Sequence, residues 1–218
     1  MPRKISILKS VMAADEKIAM RLRGELEKRG ILMVNLIGSP GAGKTTLLEA
    51  TLKKGGFRSA VIEGDVATSR DAERIALTGT PVIQINTHGG CHLEANLIEK
   101  ALLEMDLEGV EVLFIENVGN LVCPADFDLG EDFKIAVCSV PEGPDKPLKY
   151  PHLISMAKAV ILTKVDLAEY LEFDMKLFWN DVISLNPNAS RFEVASTSGA
   201  GIDEWISFLS ACMEAKSK

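Results

Sequence analysis

A glycine-rich segment carries the clearest chemistry in the sequence. Residues 38–45 read GSPGAGKT and match G-x-x-x-x-G-K-[ST] at every fixed position. Small side chains in such a loop let backbone N–H groups wrap a polyphosphate, and the helix that follows turns its positive end toward the same phosphates. We predict that Lys44 contacts the β- and γ-phosphates and that the Thr45 hydroxyl binds Mg²⁺. The predicted phosphate-binding residues are Gly38, Ser39, Pro40, Gly41, Ala42, Gly43, Lys44, Thr45 and Thr46.

Carboxylates follow two other apolar runs of strand length. Glu116 ends the run VEVLFIE, with Gly119 three residues later, and Asp65 follows the run RSAVIEG. A carboxylate at such a position holds Mg²⁺ directly or through water. We predict Lys44, Asp65 and Glu116 as catalytic residues, both carboxylates as Mg²⁺ ligands, and Gly119 as a sensor of the γ-phosphate. Asp71 is a weaker third candidate for Mg²⁺, and its alternative role is that of an ordinary acid in the first turn of a helix.

A third motif predicts which base is bound. Thr163-Lys164-Val165-Asp166 resembles the guanine-reading [N/T]-K-x-D pattern of GTPases. The Asp166 carboxylate would accept hydrogen bonds from N1–H and the exocyclic amine of guanine, which adenine does not offer, while the stem of Lys164 covers the base. Because Thr163 replaces the commoner Asn, we expect a looser loop. After the next apolar run, a backbone N–H would meet guanine O6, and the residues there are Ala195, Ser196 and Thr197. GTP is therefore predicted over ATP.

These motifs are separated by a regular alternation of short apolar runs and amphipathic stretches. The predicted strands are 31–37, 58–63, 81–85, 110–115, 133–139, 159–163 and 192–195. The predicted helices are 10–29, 45–54, 68–77, 92–105, 173–185 and 202–215, and the segment 140–151 is predicted to be a loop. The alternation predicts a three-layer α/β fold with a mainly parallel sheet, helices on both faces, an N-terminal helix, and ligands at the carboxyl ends of the strands. We expect a helical extension over 1–30 and a nucleotide domain over 31–218.

Composition excludes several classes of function. The 218 residues carry a net charge of −7, and this lack of basic surplus argues against a nucleic-acid partner. No segment approaches the eighteen or more apolar residues of a membrane span, and the N-terminus lacks the apolar core of a signal peptide. A cytoplasmic location is predicted. In that reducing compartment the four cysteines are expected to be thiols or metal ligands rather than disulfides.

Three residues form a candidate site for a transition metal. Cys91 and His92 follow two glycines, and Cys123 lies seven residues beyond Glu116. Thiolates with imidazole suit Ni²⁺ or Zn²⁺. Taken alone, the same residues also fit a buried thiol and a surface imidazole. His92 is predicted to open the helix 92–105.

Six segments together carry a family resemblance: GSPGAGKTTLLE, EGDVATSRDAERI, THGGCHLEANL, IENVGNLVCPADFDLGE, EGPDKPLKYP and LTKVDL. Over nearly the whole chain the sequence resembles the HypB family of hydrogenase nickel-incorporation GTPases. UreG, the urease accessory GTPase, is similar in architecture but carries C-P-H where this chain has Cys91-His92. The resemblance implies a dimeric nickel metallochaperone with Cys91, His92 and Cys123 as ligands. It also implies that Lys149 reaches the nucleotide of the second subunit.

The resemblance further implies GTP-favoured homodimers, with hydrogenase maturation proteins and the hydrogenase large subunit as partners. The layout of the residues predicts coupling between the γ-phosphate and the metal through the span 116–123, because Cys123 follows Glu116 and Gly119 closely. Turnover is expected to be slow, because the sequence shows no clear water-positioning glutamine and no obvious arginine finger. A nickel-storage motif is not expected, since the N-terminus contains no Cys or His. The alternatives are a urease-accessory-type nickel GTPase, a zinc-binding scaffold, or a P-loop small-molecule kinase. The kinase is disfavoured because 136–150 contains no Arg for a phosphate-clamping lid.

Overall fold

The structure is a computed structural model, which describes residues 7–66 and 68–216, with side chains from residue 13 onward. The strands in these ranges are β1 (Leu32–Gly38), β2 (Ser59–Asp65), β3 (Val82–Asn86), β4 (Val112–Glu116), β5 (Phe133–Ser139), β6 (Ala159–Thr163) and β7 (Ser190–Val194). The α-helices are α1 (Ile7–Lys28), α2 (Lys44–Lys54), α3 (Arg70–Ala76), α4 (Ala95–Glu104), α5 (Cys123–Asp126), α6 (Lys146–Lys149), α7 (Pro151–Met156), α8 (Met175–Leu185) and α9 (Ile202–Lys216).

The strands form one sheet in the order β3-β2-β4-β1-β5-β6-β7, and every neighbouring pair is parallel. All carboxyl ends therefore lie at the same edge of the sheet. The chain changes direction across the sheet at β1, whose neighbours are β4 and β5. Ligands of doubly wound sheets bind at such a point. The glycine-rich loop follows β1 directly.

Helices cover both faces of the sheet. Leu47 of α2 and Trp205 of α9 pack on one face, and α1, α4 and α8 pack on the other through Leu22, Ile98 and Phe178. Every residue of β1, β4 and β6 is buried, which explains their nearly continuous apolar sequences. The predicted three-layer α/β fold with an N-terminal helix is confirmed, with a sheet that is wholly parallel. No helix in the described ranges combines the length and apolar character that a bilayer span requires.

The prediction that a helix begins at His92 is wrong, because α4 begins at Ala95. The cause is a contact from far away in the chain. The Asp15 carboxylate of α1 accepts hydrogen bonds from the N–H groups of Ala95 and Asn96, at 3.1 and 3.0 Å, and so satisfies the first turn of α4. Cys91 and His92 consequently lie in the metal loop, which we define as residues 87–94.

The prediction of an irregular loop over 140–151 is also wrong. This segment contains the 3₁₀ turn Val140–Glu142 and the short helix α6, and α7 begins at its end. Each of these turns has a proline in its first positions, where the missing N–H costs no hydrogen bond. The strands predicted over 133–139 and 159–163 have the observed bounds, and the other predicted bounds differ from the observed ones by a few residues. Residues 1–6 and 217–218 of the expected domains lie outside the described residues.

Candidate functional site

The phosphate loop, residues 38–45, connects β1 to α2 at the carboxyl edge of the sheet. Gly41 and Gly43 have φ values of 75° and 91°, which glycine adopts without strain. A Cβ on Gly38 would lie 2.5 Å from the carbonyl oxygen of Val137, so glycine is required there for close packing. The loop lines an open cavity of about 430 Å³, which we call the phosphate cavity.

Lys44 lies at the base of the phosphate cavity and is only 7% exposed. Its Nζ donates to the carbonyl oxygens of Gly38 and Ser39, at 3.2 and 3.4 Å. Burial lowers the pKa of Lys44, and the nearby carboxylates, Glu116 first, oppose this shift. The ammonium group therefore has only weak backbone acceptors and is available to an anion that enters the cavity.

Glu116 faces α2 across the same cavity. The Thr45 hydroxyl donates to Oε1 of Glu116 at 2.7 Å, whereas Oε2 is buried without a hydrogen-bond partner. Burial raises the pKa of Glu116 to about 7, and Lys44 opposes the shift. A hydroxyl and a carboxylate with an unsatisfied oxygen are hard oxygen ligands, and they fit a Mg²⁺ ion.

Asp65 and Asp71 also line the phosphate cavity. The Asp65 carboxylate accepts hydrogen bonds from the N–H of Val66 and from the N–H and hydroxyl of Thr68, at 2.6 to 2.9 Å. Asp71 accepts a hydrogen bond of 3.3 Å from Arg74. The structure brings both carboxylates to the cavity that contains Lys44, while their roles toward Mg²⁺ stay predictions.

Gly119 packs against the phosphate loop. A Cβ at this position would lie 2.8 Å from the ring of Pro40 and 2.9 Å from its backbone nitrogen. The segment after β4 is therefore in direct contact with the loop that would hold the phosphates.

A second cavity of about 230 Å³, the base cavity, opens beside the phosphate cavity. Its lining includes Asp166 and Ser196, and it shares Lys164 with the phosphate cavity. Other predicted residues in its lining are Gly43, Thr46, Thr163 and Thr197, whereas Ala195 is buried and does not line it. Two further cavities, of about 540 and 620 Å³, contain none of the predicted site residues.

The base cavity is tied to the phosphate loop by two side chains. The Thr163 hydroxyl lies 2.5 Å from the carbonyl oxygen of Ala42, and Nζ of Lys164 donates to that of Gly41 at 2.7 Å. The Thr163 hydroxyl thus makes a tether to the phosphate loop, while the expectation that Thr163 gives a looser loop than Asn stays a prediction. Lys164 has a φ of 57°, a conformation that side chains seldom adopt outside constrained sites.

Lys149 lines neither cavity. Its Nζ pairs with the Asp145 carboxylate at 2.5 Å, and this hydrogen bond lowers the pKa of Asp145. Within one chain Lys149 therefore does not reach the predicted nucleotide, and its role toward a second subunit stays a prediction.

The predicted metal ligands come together at the surface. The ligand atoms of Cys91, His92 and Cys123 all lie within 4.8 Å of one another. Sγ of Cys91 is 3.5 Å from Nδ1 of His92, and a hydrogen bond with the Cys123 thiol raises the pKa of Cys91. The His92 ring stacks on Phe127 with centroids 3.8 Å apart, which restricts its orientation. Cys91 is exposed, so this cluster is open to solvent and to other proteins.

Comparison with known proteins places this arrangement in a family. Residues 32–193 match the model described as CobW/HypB/UreG, nucleotide-binding domain. This chain belongs to the CobW/HypB/UreG family. The hydrogenase maturation factor HypB of Escherichia coli K12 is 48% identical over 209 residues, covering 95% of this chain and 72% of the relative.

Solved HypB structures have the same fold. The crystal structure of HypB from Helicobacter pylori in complex with nickel has a TM-score of 0.89 and 38% identity, and the match covers 93% of this chain and 96% of that chain. The crystal structure of the hydrogenase maturation factor HypB from Archaeoglobus fulgidus has a TM-score of 0.86 and 36% identity, with 92% and 99% covered. Among CobW/HypB/UreG proteins, this chain is thus similar to HypB over nearly its whole length.

Sequence reasoning missed two charged residues of the phosphate cavity in this HypB-like chain. Glu63 is 2% exposed, its Oε2 has no hydrogen-bond partner, and burial raises its pKa to about 8. Arg74 donates to the Thr46 hydroxyl at 3.0 Å and pairs with Glu49. The sequence pointed to Glu63 only by placing an acidic residue within the apolar run AVIEG. No sequence pattern pointed to Arg74.

Two asparagines that connect the sites were missed as well. Asn117 is 1% exposed, and its Oδ1 accepts a hydrogen bond of 3.4 Å from the N–H of Leu93 in the metal loop. The Asn120 side chain donates to the carbonyl oxygen of Cys91 at 3.2 Å. Both asparagines lie on the segment between Glu116 and Cys123, so this segment holds the metal loop by side-chain contacts as well as by carrying a ligand.

Proposed function

We propose that this chain is a GTP-hydrolysing metallochaperone of the cytoplasm that delivers nickel during maturation of [NiFe]-hydrogenases. GTP favours its homodimer, and hydrogenase maturation proteins and the hydrogenase large subunit are its partners. One observation carries the proposal: the segment 116–123 contacts both the phosphate loop and the metal loop. Similarity to a hydrogenase maturation factor and to a HypB protein solved in complex with nickel supports the same function.

The nucleotide reaction is hydrolysis of GTP to GDP and phosphate by in-line attack of water on the γ-phosphorus. Lys44 exchanges its backbone acceptors for phosphate oxygens and stabilises the charge that develops on them. The oxygens of Thr45, Glu116 and Asp65 would hold Mg²⁺, which neutralises the β- and γ-phosphates when bound. Turnover is slow, because the motifs supply no glutamine to position the attacking water.

The base cavity gives selectivity for guanine. The exposed Asp166 carboxylate accepts from N1–H and the exocyclic amine, and a backbone N–H of the segment Ala195–Thr197 meets O6. The hydrogen bonds from Thr163 and Lys164 fix this cavity relative to the phosphate loop, so that the base and the phosphates of one nucleotide bind in a fixed relative position.

Nickel is the cargo of the exposed cluster. Cys91, His92 and Cys123 offer two sulfur ligands and one nitrogen ligand, a set that binds Ni²⁺ and also Zn²⁺. Three ligands per chain leave coordination open to water or to a second subunit, which places the ion near a two-fold axis in the homodimer. Lys149 then reaches the nucleotide of that second subunit. An exposed, incomplete ligand set suits a protein that must release its metal.

Coupling between the two sites follows from the alternation of side chains along a strand. Glu116 turns toward α2 and accepts from Thr45, whereas Asn117 turns to the opposite face and contacts Leu93. Loading of the phosphate cavity shifts the end of β4 and thereby the metal loop. Such coupling must act in both directions, so nickel alters GTP affinity by the same factor by which GTP alters nickel affinity.

The test is calorimetric Ni²⁺ binding combined with sizing, in the presence of GDP and of a non-hydrolysable GTP analogue. We expect Ni²⁺ affinity and dimer fraction to change together with the nucleotide. In Cys123→Ala the metal response is lost while GTP hydrolysis remains, and a matched Cys212→Ala variant behaves as the parent. Identical Ni²⁺ affinity and size with both nucleotides would contradict the proposal, and ATP-dependent transfer of phosphate to an acceptor would favour the kinase.

A further inference from the structure

Glu63 lies on β2 beside Glu116 of β4, at the wall of the phosphate cavity. The parallel register pairs these two residues directly. Val61 and Phe114, two positions earlier on each strand, share the core cluster beneath α2 and α9. Because side chains two residues apart on a strand point to the same face, Glu63 and Glu116 both project toward α2 and the cavity.

The cavity holds more carboxylates than a phosphate site by itself requires. Its lining contains Glu63, Asp65, Asp71 and Glu116 against Lys44, Arg74 and Lys164. Lys164 is hydrogen-bonded to Gly41, and Arg74 is paired with Glu49 and Asp71. Two carboxylate oxygens, Oε2 of Glu63 and of Glu116, remain buried with no donor. A pocket for a polyanion with this charge needs a cation, or waters bound to one, to satisfy those oxygens.

We propose that Glu63 is a further positioning residue of the Mg²⁺–nucleotide site. Its carboxylate accepts hydrogen bonds from waters of the ion that Thr45 and Glu116 hold, and these contacts strengthen binding of the ion together with the nucleotide. Glu63 thereby makes tight nucleotide binding conditional on a divalent cation. This inference rests on the proposed function in one respect, namely that the cavity takes a guanine nucleotide.

The experiment compares GDP affinity in Mg²⁺ with GDP affinity in EDTA, by calorimetry on the full chain at constant ionic strength. In Glu63→Gln we expect the ratio of the two affinities to shrink about tenfold relative to the parent chain, because the water-mediated contacts of the carboxylate with the ion are lost. Glu63→Asp keeps the charge and retains most of the ratio. The control is Glu111→Gln, which removes an exposed carboxylate just before the other end of β4. We expect that control to leave the ratio unchanged.

A second readout follows the ion itself. Binding of Mn²⁺ to the GDP complex, measured by electron paramagnetic resonance, should weaken in Glu63→Gln and stay unchanged in Glu111→Gln. If Glu63→Gln changes both GDP affinities by the same factor, or changes neither, the inference is overturned and the GTPase proposal stands. If the parent chain binds no GDP in Mg²⁺, the proposed function itself fails. Urea unfolding of each variant at the assay temperature separates loss of the fold from loss of the ion response.

Discussion

Replacing Asn117 by alanine tests the connection between the two sites. Its Nδ2 donates to Oδ1 of Asn35 at 3.2 Å, and its Oδ1 accepts from the N–H of Val118 at 2.9 Å and from that of Leu93 at 3.4 Å. The longest bond, to Leu93, is the weakest of the three. Loss of the other two bonds leaves the buried Oδ1 of Asn35 and the buried N–H of Val118 unpaired, and each unpaired group costs about 1–3 kcal/mol. We therefore expect the free energy of unfolding to fall by about 2–6 kcal/mol.

The assay is urea unfolding of the nucleotide-free and metal-free chain, followed by far-UV circular dichroism. Asn120→Ala is the matched control for the unfolding measurement, because its bonds to Cys91 and to the N–H of Val122 are both at the surface where water replaces them, and it should cost less than about 1 kcal/mol. The folded fraction of Asn117→Ala should also lose most of the nucleotide dependence of Ni²⁺ affinity, although every predicted ligand remains. A loss below about 1 kcal/mol together with intact coupling would refute the inferred role of Asn117.

Three further outcomes are expected. Burial raises the pKa of Glu63 from 4.5 to about 8, so the folded chain keeps a proton that the unfolded chain releases. The contribution of Glu63 to the free energy of unfolding therefore falls as the pH rises from 4.5 to about 8. In Glu63→Gln the free energy of unfolding, measured by urea titration, should depend less on pH over this range. A pH dependence equal to that of the parent chain would contradict this prediction. Cys123→Ala should abolish tight Ni²⁺ binding in equilibrium dialysis, whereas Cys212→Ala should retain it. Asp166→Ala should weaken GDP binding by about 100-fold through the loss of charged hydrogen bonds; Glu169→Ala, an exposed neighbour, serves as its control.

Local patterns were enough to predict the fold and the motifs that line the phosphate cavity and the base cavity. The strands 133–139 and 159–163 have the predicted bounds, because each is an apolar run that ends where the sequence turns polar. The glycine-rich loop was predictable because its chemistry demands particular residues next to one another. The structure gathers these residues around two adjoining cavities, and their roles in binding stay predictions.

Relations between distant segments could not be read from the sequence. Glu63 matters because the register sets it beside Glu116, and Asn117 because it faces a loop 24 residues away. The start of α4 depends on Asp15, some eighty residues earlier. The prolines in 140–151 were interpreted as a sign of an irregular loop, although proline is equally compatible with the first turn of a helix. For Glu63, Asn117 and the start of α4, the contact that decides the structure comes from a residue far away in the sequence.

The cap that Asp15 places on α4 makes the two ends of the metal loop unequal. One end follows the edge strand β3, and the other is held by a carboxylate that belongs to a separate helix. A fragment starting at β1 would retain all three candidate ligands and both cavities, yet its metal loop would continue into an uncapped, fraying turn. Nickel affinities measured on such a trimmed protein would therefore describe a loosened loop. The first helix must be kept in any measurement of nickel binding.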